Sequence, residues 1–395
     1  MNTTFDVVVA GHICLDIIPD LSVFKQGDFL NALRPGSLVT MGPVKISLGG
    51  QVPNMGLALH ILGIPTRLMG KIGDDLFGRA ICDIIRSYAP SMAEGMVVDK
   101  TVSSSYTFVI NPPDMDRFFM HCPCANDTFD VDDVKYDQLE RARLFHFGYP
   151  PIMRLMFNDN GHRLSEIYRR AKQAGVTTSL DMATPDPNSA SGRADWLKIL
   201  ELTLPYTDIF LPSVEELLYM IKRDLFLEMM SNGQNGDILP QITPVLLSDL
   251  SAHLHDLGAK IVGIKVGYRG MYLDTPKKSA LEGMGRAQPA ALDGWSDKKI
   301  WAPVFDVDVV GTTGSGDSTV AGFLSAVLRG MDAEEAITAA TAVGGCNVEA
   351  ADSLSGLRSW DETMKRVANG WQRKPLRLHA SGWTFDEQKQ LWYGR

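Results

Sequence analysis

The sequence predicts an α/β protein: a mostly parallel sheet covered by helices on both faces, with a small β lid set apart from it. Three observations carry that expectation. Short β-branched runs recur at residues 5–10, 66–72, 144–147, 176–180, 208–211 and 260–266. Stretches with helical spacing, such as 164–174 and 214–220, lie between them. Two regions, 38–48 and 103–122, break the rhythm by alternating apolar and polar residues. Apolar strands between helices mark a sheet buried on both faces, whereas alternation marks a sheet with one solvated face.

The first strand ends at Gly11, and Asp16 is placed on the loop that follows. A carboxylate at the C-terminal end of such a strand faces the crevice where α/β sheets bind ligands, although a plain turn former would read the same way. Val44, Ile46 and Leu48 supply the alternation of the first lid segment, residues 36–48. Gly49 and Gly50 then lead into a helix in which Pro53 suits the first turn, Leu57, Ala58, Ile61 and Leu62 form the buried face, and Gly63 is the stop. The polar amide of Asn54 in that first turn is not required by the helix.

The second lid segment, 103–122, runs into Cys122-Pro123-Cys124 beside His121. A metal site there would need further ligands, and ordinary strand or loop residues account for the same run. Residues 275–298 are rich in Pro, Gly, Ala and Lys with weak periodicity and read as a surface insertion. The tail 360–395 carries Trp371, Trp383, Trp392 and Tyr393 among charges, too aromatic for disorder. It is expected to pack on the main domain, residues 1–359, or on a partner subunit.

Composition bounds the partners. With 395 residues, 45% of them hydrophobic and 22% charged, the chain can bury one large core. A net charge of -9 and no basic run argue against nucleic acid. No segment is apolar for long enough to span a membrane, and the opening stretch is interrupted by Asp6, His12 and Asp16. Five cysteines, an odd count, fit reduced thiols. The whole is read as a cytoplasmic protein.

The most informative segment runs from Val307 through Gly311-Thr-Thr-Gly314-Ser315-Gly316-Asp317 into a helical stretch closed by Gly330. Glycines at a helix N-terminus let an oxyanion approach backbone amides of Gly314, Ser315 and Gly316 along the helix dipole. Asp317 beside such an anion hole could take a proton from an attacking hydroxyl. An acid in the first turn also stabilises a helix by itself, so both readings stand at this point. There is no Walker A loop.

Gly311–Asp317 followed by Ala321-Gly322-Phe323-Leu324 resembles the C-terminal signature of ribokinase-like (PfkB) carbohydrate kinases. Gly49-Gly50-Gln-Val-Pro-Asn54 with Gly70-Lys-Ile-Gly73-Asp-Asp75-Leu-Phe-Gly78 resembles their N-terminal signature. The resemblance implies a three-layer ribokinase-like fold and ATP-dependent phosphorylation of a sugar or sugar-derivative hydroxyl, with Asp317 as general base. It assigns Asp16, Gly49, Gly50 and Asn54 to substrate hydroxyls, and Asp181 to the neighbourhood of sugar or metal. Asp114 and Arg117 are similar to the family's lid turn, and Asn126 to the residue after it.

On the nucleotide side the resemblance implies Ser213, Glu216, Lys265, Gly267, Gly270 and Asn347, with Glu216 holding Mg2+ through water. Ser213 and Glu216 are also spaced as a capping box. Gly311 stands where the family usually has an Asp that ligates a monovalent cation, which argues against a potassium site. A lid aromatic, Tyr106 or Phe108, stacking on a base would make the enzyme a nucleoside kinase. Gly311 and Ser213 leave open a sugar sensor without turnover. Relatives of this kind often pair through the lid, implying a homodimer.

Overall fold

The structure, a computed structural model, describes residues 5–25, 28–113, 118–378 and 380–395. Asp114 and Arg117 lie outside the described residues. Six parallel strands form one side of the main sheet, in the spatial order Thr66–Met69, Val7–Gly11, Leu144–Gly148, Thr177–Asp181, Ile209–Phe210 and Ile261–Lys265, with Thr66–Met69 at the edge. Four antiparallel strands extend it: Met271–Thr275, Lys298–Ala302, Leu391–Gly394 and Trp383–Asp386.

The strand Val7–Gly11 shows how the parallel part is buried on both faces. Val7 and Val9 join one apolar layer, while Val8 and Ala10 join the other. The first layer is closed by helices Gln51–Ile61, Ser315–Leu328 and Ala333–Asn347, the second by His162–Gln173, Trp196–Thr203, Val214–Ile221 and Pro244–Asp256. Helices on both faces cover the sheet, as βαβ connections require. Among the described residues, no helix is long and apolar enough to cross a membrane.

The lid is a four-stranded sheet in the order Val44–Gly49, Cys14–Pro19, Tyr106–Ile110, Phe118–Cys122. Its central strand corrects the reading of residues after Gly11. Asp16 sits within that strand, opposite Ser47 and Thr107, instead of in a loop. Asp16 and Pro19 hide the strand in the sequence, because they interrupt an apolar run that is only half buried. Lys45 of the lid reaches Asp352 of the body at 3.0 Å, with both side chains partly in solvent.

The stretch 275–298 runs over the surface with many exposed residues but is anchored in the core. It has little regular structure, yet Leu281, Met284, Ala287 and Trp295 are fully buried in the layer beneath Ser315–Leu328. Trp295 meets Phe323 edge-on at 5.9 Å and donates its indole N–H to Met331 O. Irregular spacing reflects a path that follows the core and not an absence of burial.

The tail forms helix Trp360–Ala368 and then the hairpin Trp383–Asp386/Leu391–Gly394, whose second strand pairs with Lys298–Ala302. Between them Trp371 stacks on Phe305 at 4.4 Å, and the half-buried Arg373 donates to Pro303 O and Thr341 Oγ1. These contacts tie the tail to the loop that precedes Gly311.

If 275–298 is core, Trp295→Ala should lower stability by about 3–5 kcal/mol in urea unfolding, the cost of a large buried aromatic. A change within about 0.5 kcal/mol, as at a surface site, would restore the surface reading.

Candidate active site

Three strand ends and two helix N-termini converge on one carboxylate. Asp317, 2% exposed, lies in the first turn of Ser315–Leu328. The facing helix Gln51–Ile61 brings Asn54, whose Nδ2 donates to Asp317 Oδ2 at 2.9 Å. Tyr149, immediately after strand Leu144–Gly148, directs its hydroxyl at both carboxylate oxygens, 2.9 and 3.0 Å away. The Tyr149 backbone is left-handed, with φ 63° and ψ 41°. Such a conformation costs a non-glycine residue on the order of 1–3 kcal/mol and persists where surrounding contacts hold it.

Burial pushes the Asp317 carboxyl up to about 6, while the hydrogen bonds from Asn54 and Tyr149 and the charge of Lys265 pull the other way. The group is therefore a carboxylate at neutral pH, with two donors already satisfying it. Burial, and then Asp317 itself, raise Tyr149 far above its ordinary range, so its hydroxyl stays a donor.

Lys265 completes the charge balance. Its ammonium contacts Asp181 Oδ1 at 2.5 Å and Leu211 O at 2.7 Å. Burial alone would lower it, but Asp181 and then Glu216 more than offset that, so it stays charged. A Cβ on Gly316 would lie 3.6 Å from Lys265 Cε, which puts the lysine stem directly beneath the glycine turn.

On the lid side, Asp16 is pushed up to about 6 by burial. The adjoining glycines make room for it and for His12. A Cβ on Gly49 would fall 2.3 Å from Asp16 Oδ1, and one on Gly50 would fall 2.4 Å from His12 Nδ1. Gly50 also has φ 94°, which a side chain would strain. Asn126, by contrast, is turned to the fold: it accepts from Ile13 N at 3.2 Å and donates to Ile13 O at 2.9 Å.

A cavity of about 370 Å³ opens on the other side of Gly316, with Lys265, Gly267, Gly270 and Ser315 on its wall. Three of the residues assigned to the nucleotide side are absent from its wall. Ser213 and Glu216 do not line the cavity; Glu216 Oε2 accepts from Ser213 N at 2.6 Å and Ser213 Oγ accepts from Glu216 N at 3.2 Å, a capping box. Asn347 lies outside it too. Its Nδ2 donates to Ser353 O at 2.7 Å, because Thr341, Gly344, Gly345 and Val348 form the face of that helix toward the cavity. In the expected anion hole, the Ser315 amide already donates to Thr312 O at 3.2 Å, so an incoming oxyanion must share or displace that bond.

Sequence reasoning missed Tyr149, His12 and the tail residue Lys374, which joins the cavity wall. Tyr149 carried one usable signal, its place between a strand-end glycine and Pro150-Pro151. Lys374 carried none.

A doubly covered sheet with a β lid, and an acidic helix N-terminus at the mouth between them, define the ribokinase-like class of α/β proteins. Two solved structures share the fold. A ribokinase from Arabidopsis thaliana, complexed with ribose and ATP, superposes with a TM-score of 0.65 at 19% identity, over 92% of this chain and 98% of that one. A fructokinase with bound ATP from Xylella fastidiosa gives 0.66 at 18%, over 92% and 98%. Among curated relatives, fructokinase-2 of Oryza sativa subsp. japonica is 28% identical over 180 residues, 44% of this chain and 48% of the relative. The match spans about half the length of such relatives. The profile of the pfkB family carbohydrate kinases matches residues 5–359, and the chain belongs to that family.

The buried acids leave a signature in stability. Asp317 has a folded value of about 6 against an ordinary value near 4, so its contribution is present below pH ~4 and lost as pH rises through about 6. Between pH 4.5 and 7, Asp317→Asn should gain about 2 kcal/mol relative to wild type in urea unfolding. A constant difference across that window would show that burial does not raise this carboxyl.

Proposed function

We propose that this protein transfers the γ-phosphoryl group of ATP to a hydroxyl of a sugar or sugar derivative, with Asp317 as general base. The carrying observation is the Asn54–Asp317–Tyr149 constellation at the mouth between lid and cavity. A sugar under the lid would meet Asp16 and the open backbone at Gly49 and Gly50. Its acceptor hydroxyl would lie against Asp317, which as a carboxylate can take the proton. Both donors bind the ionised form, so they fix the oxygens without neutralising them.

The nucleotide reading rests on the cavity beyond Gly316, whose wall is apolar at Val304, Phe305 and Val348 and glycine-rich where phosphates would pass. ATP bound there would point its phosphates at the N-terminus of Ser315–Leu328, where the dipole and the Gly316 turn favour anionic oxygen. Asp181, Glu216 and Asp317 interact through space and face one ammonium, Lys265. That excess of acid suits a divalent cation with oxygen ligands, and Mg2+ would supply charge neutralisation of the phosphates. Glu216 would act through water, since its Oε2 is held by the Ser213 amide.

Of the two stacking candidates of a nucleoside kinase, Phe108 is exposed and Tyr106 is half-buried. Tyr106 is engaged edge-on by both Phe77 and Phe108, at 5.4 and 5.7 Å. An intact base and donor pair favour an enzyme over a sensor. Exposed apolar residues on the lid, Ile46, Phe119 and Met120, support pairing of two copies through that sheet.

Tests with hexoses, pentoses, keto-sugar acids and nucleosides should find an acceptor that raises ADP release above the water background. With that acceptor, Asp317→Asn should lose about 10²–10⁴ in kcat while ATP binding persists. Full turnover in the variant would remove Asp317 from the mechanism.

The rate should also fall below about pH 6, where Asp317 protonates. Tyr149→Phe removes one of the two donors to the ionised form, so the acidic limb should move to higher pH. An unmoved limb would reduce Tyr149 to a packing residue.

A further inference from the structure

Where the lid leaves the body, three soft or borderline donors meet. His12 follows the first main-sheet strand, Cys14 opens the central lid strand, and His121 comes from the edge strand Phe118–Cys122. One donor atom from each lies within 4.8 Å of the other two. His12 Nε2 and His121 Nε2 are 3.2 Å apart, close to the spacing of two nitrogens on one tetrahedral ion with bonds of about 2.0–2.1 Å. We propose that His12, Cys14 and His121 form a binding site for a transition-metal ion of the Zn2+ type.

The surroundings are arranged as metal sites require. Thr107 Oγ1 is 2.9 Å from His121 Nδ1, a contact that occupies the outer nitrogen and leaves Nε2 for the ion. The same hydroxyl is 3.3 Å from Cys14 Sγ. Asp16 Oδ1 lies 3.3 Å from that sulfur, so its carboxylate or a water can supply the fourth donor. Two imidazoles and a thiolate suit Zn2+, Co2+ or Cu2+ and disfavour Mg2+, which takes hard oxygen ligands. The site is thus chemically separate from the cation expected beside the phosphates.

Binding replaces the Cys14 thiol proton and the His12–His121 contact with bonds to one ion, and it fastens the lid's edge strand to the end of the main sheet. Cys122 and Cys124, with sulfurs 2.9 Å apart, are the competing soft ligands nearby in sequence. If the sugar reading above holds, the ion and the substrate also draw on the same carboxylate, Asp16. The ion would then raise the KM for sugar without altering ATP affinity.

The test reads metal binding directly and needs no turnover. Full-length protein is stripped with a chelator and titrated with Co2+ alone, following the thiolate-to-cobalt absorption, and with Zn2+ by calorimetry. One equivalent with a thiolate band is expected. Affinity should fall more than about tenfold in Cys14→Ser and in His121→Ala, and hold in Cys122→Ser/Cys124→Ser. His121 is exposed, so its variant should fold even if Cys14→Ser does not. Absence of the band, unchanged affinity in His121→Ala, or loss confined to the Cys122/Cys124 variant would each overturn the site.

Discussion

An ionised carboxylate taken out of water has to be given donors, and the site is organised by how Asp317 obtains them. Asn54 comes from one helix start, Asp317 from another, and Tyr149 from the end of a strand between them. Each can be in place only if the sheet order, the two helix positions and the left-handed turn at Tyr149 are all correct. The hydrogen bonds therefore link the N-terminal and C-terminal signatures, 263 residues apart, into one unit. A buried acid left without one of these partners would carry the full cost of its desolvation.

The same arrangement explains what could be read in advance. The six parallel strands and the helix starts at Gln51, Val214 and Ser315 have local causes: β-branched runs, caps and glycine stops. Asp317, Asn54 and Asp16 were each open to a local explanation as helix or turn residues, and it was the two family signatures that singled them out. Residues whose role depends on distant neighbours were not recognisable. Tyr149 matters through its approach to Asp317, and nothing in its own surroundings states that approach. The burial of Trp295 was missed because the stretch keeps many exposed residues between its buried ones and forms little regular structure.

The capping box at Ser213 and Glu216 marks a different limit. One spacing served two explanations, and the structure realises the local one fully. The carboxylate is still close enough to bias Asp181 and Asp317, so its cap fixes where that negative charge sits. Asn347 marks another: a helix position was assigned by order in the chain, while the side that faces the cavity is decided by a rotation of about 100° per residue.

Lys45 and Asp352 close the lid against the body through a pair that remains largely in water. Exposed pairs of this kind contribute well under about 1 kcal/mol and weaken with salt. The firmer hold is apolar, since Leu15 and Leu48 of the lid strands are buried in the same layer as the helix Gln51–Ile61. What seats the lid is therefore burial more than charge, and added salt, which screens the exposed pair, leaves the greater part of that hold untouched.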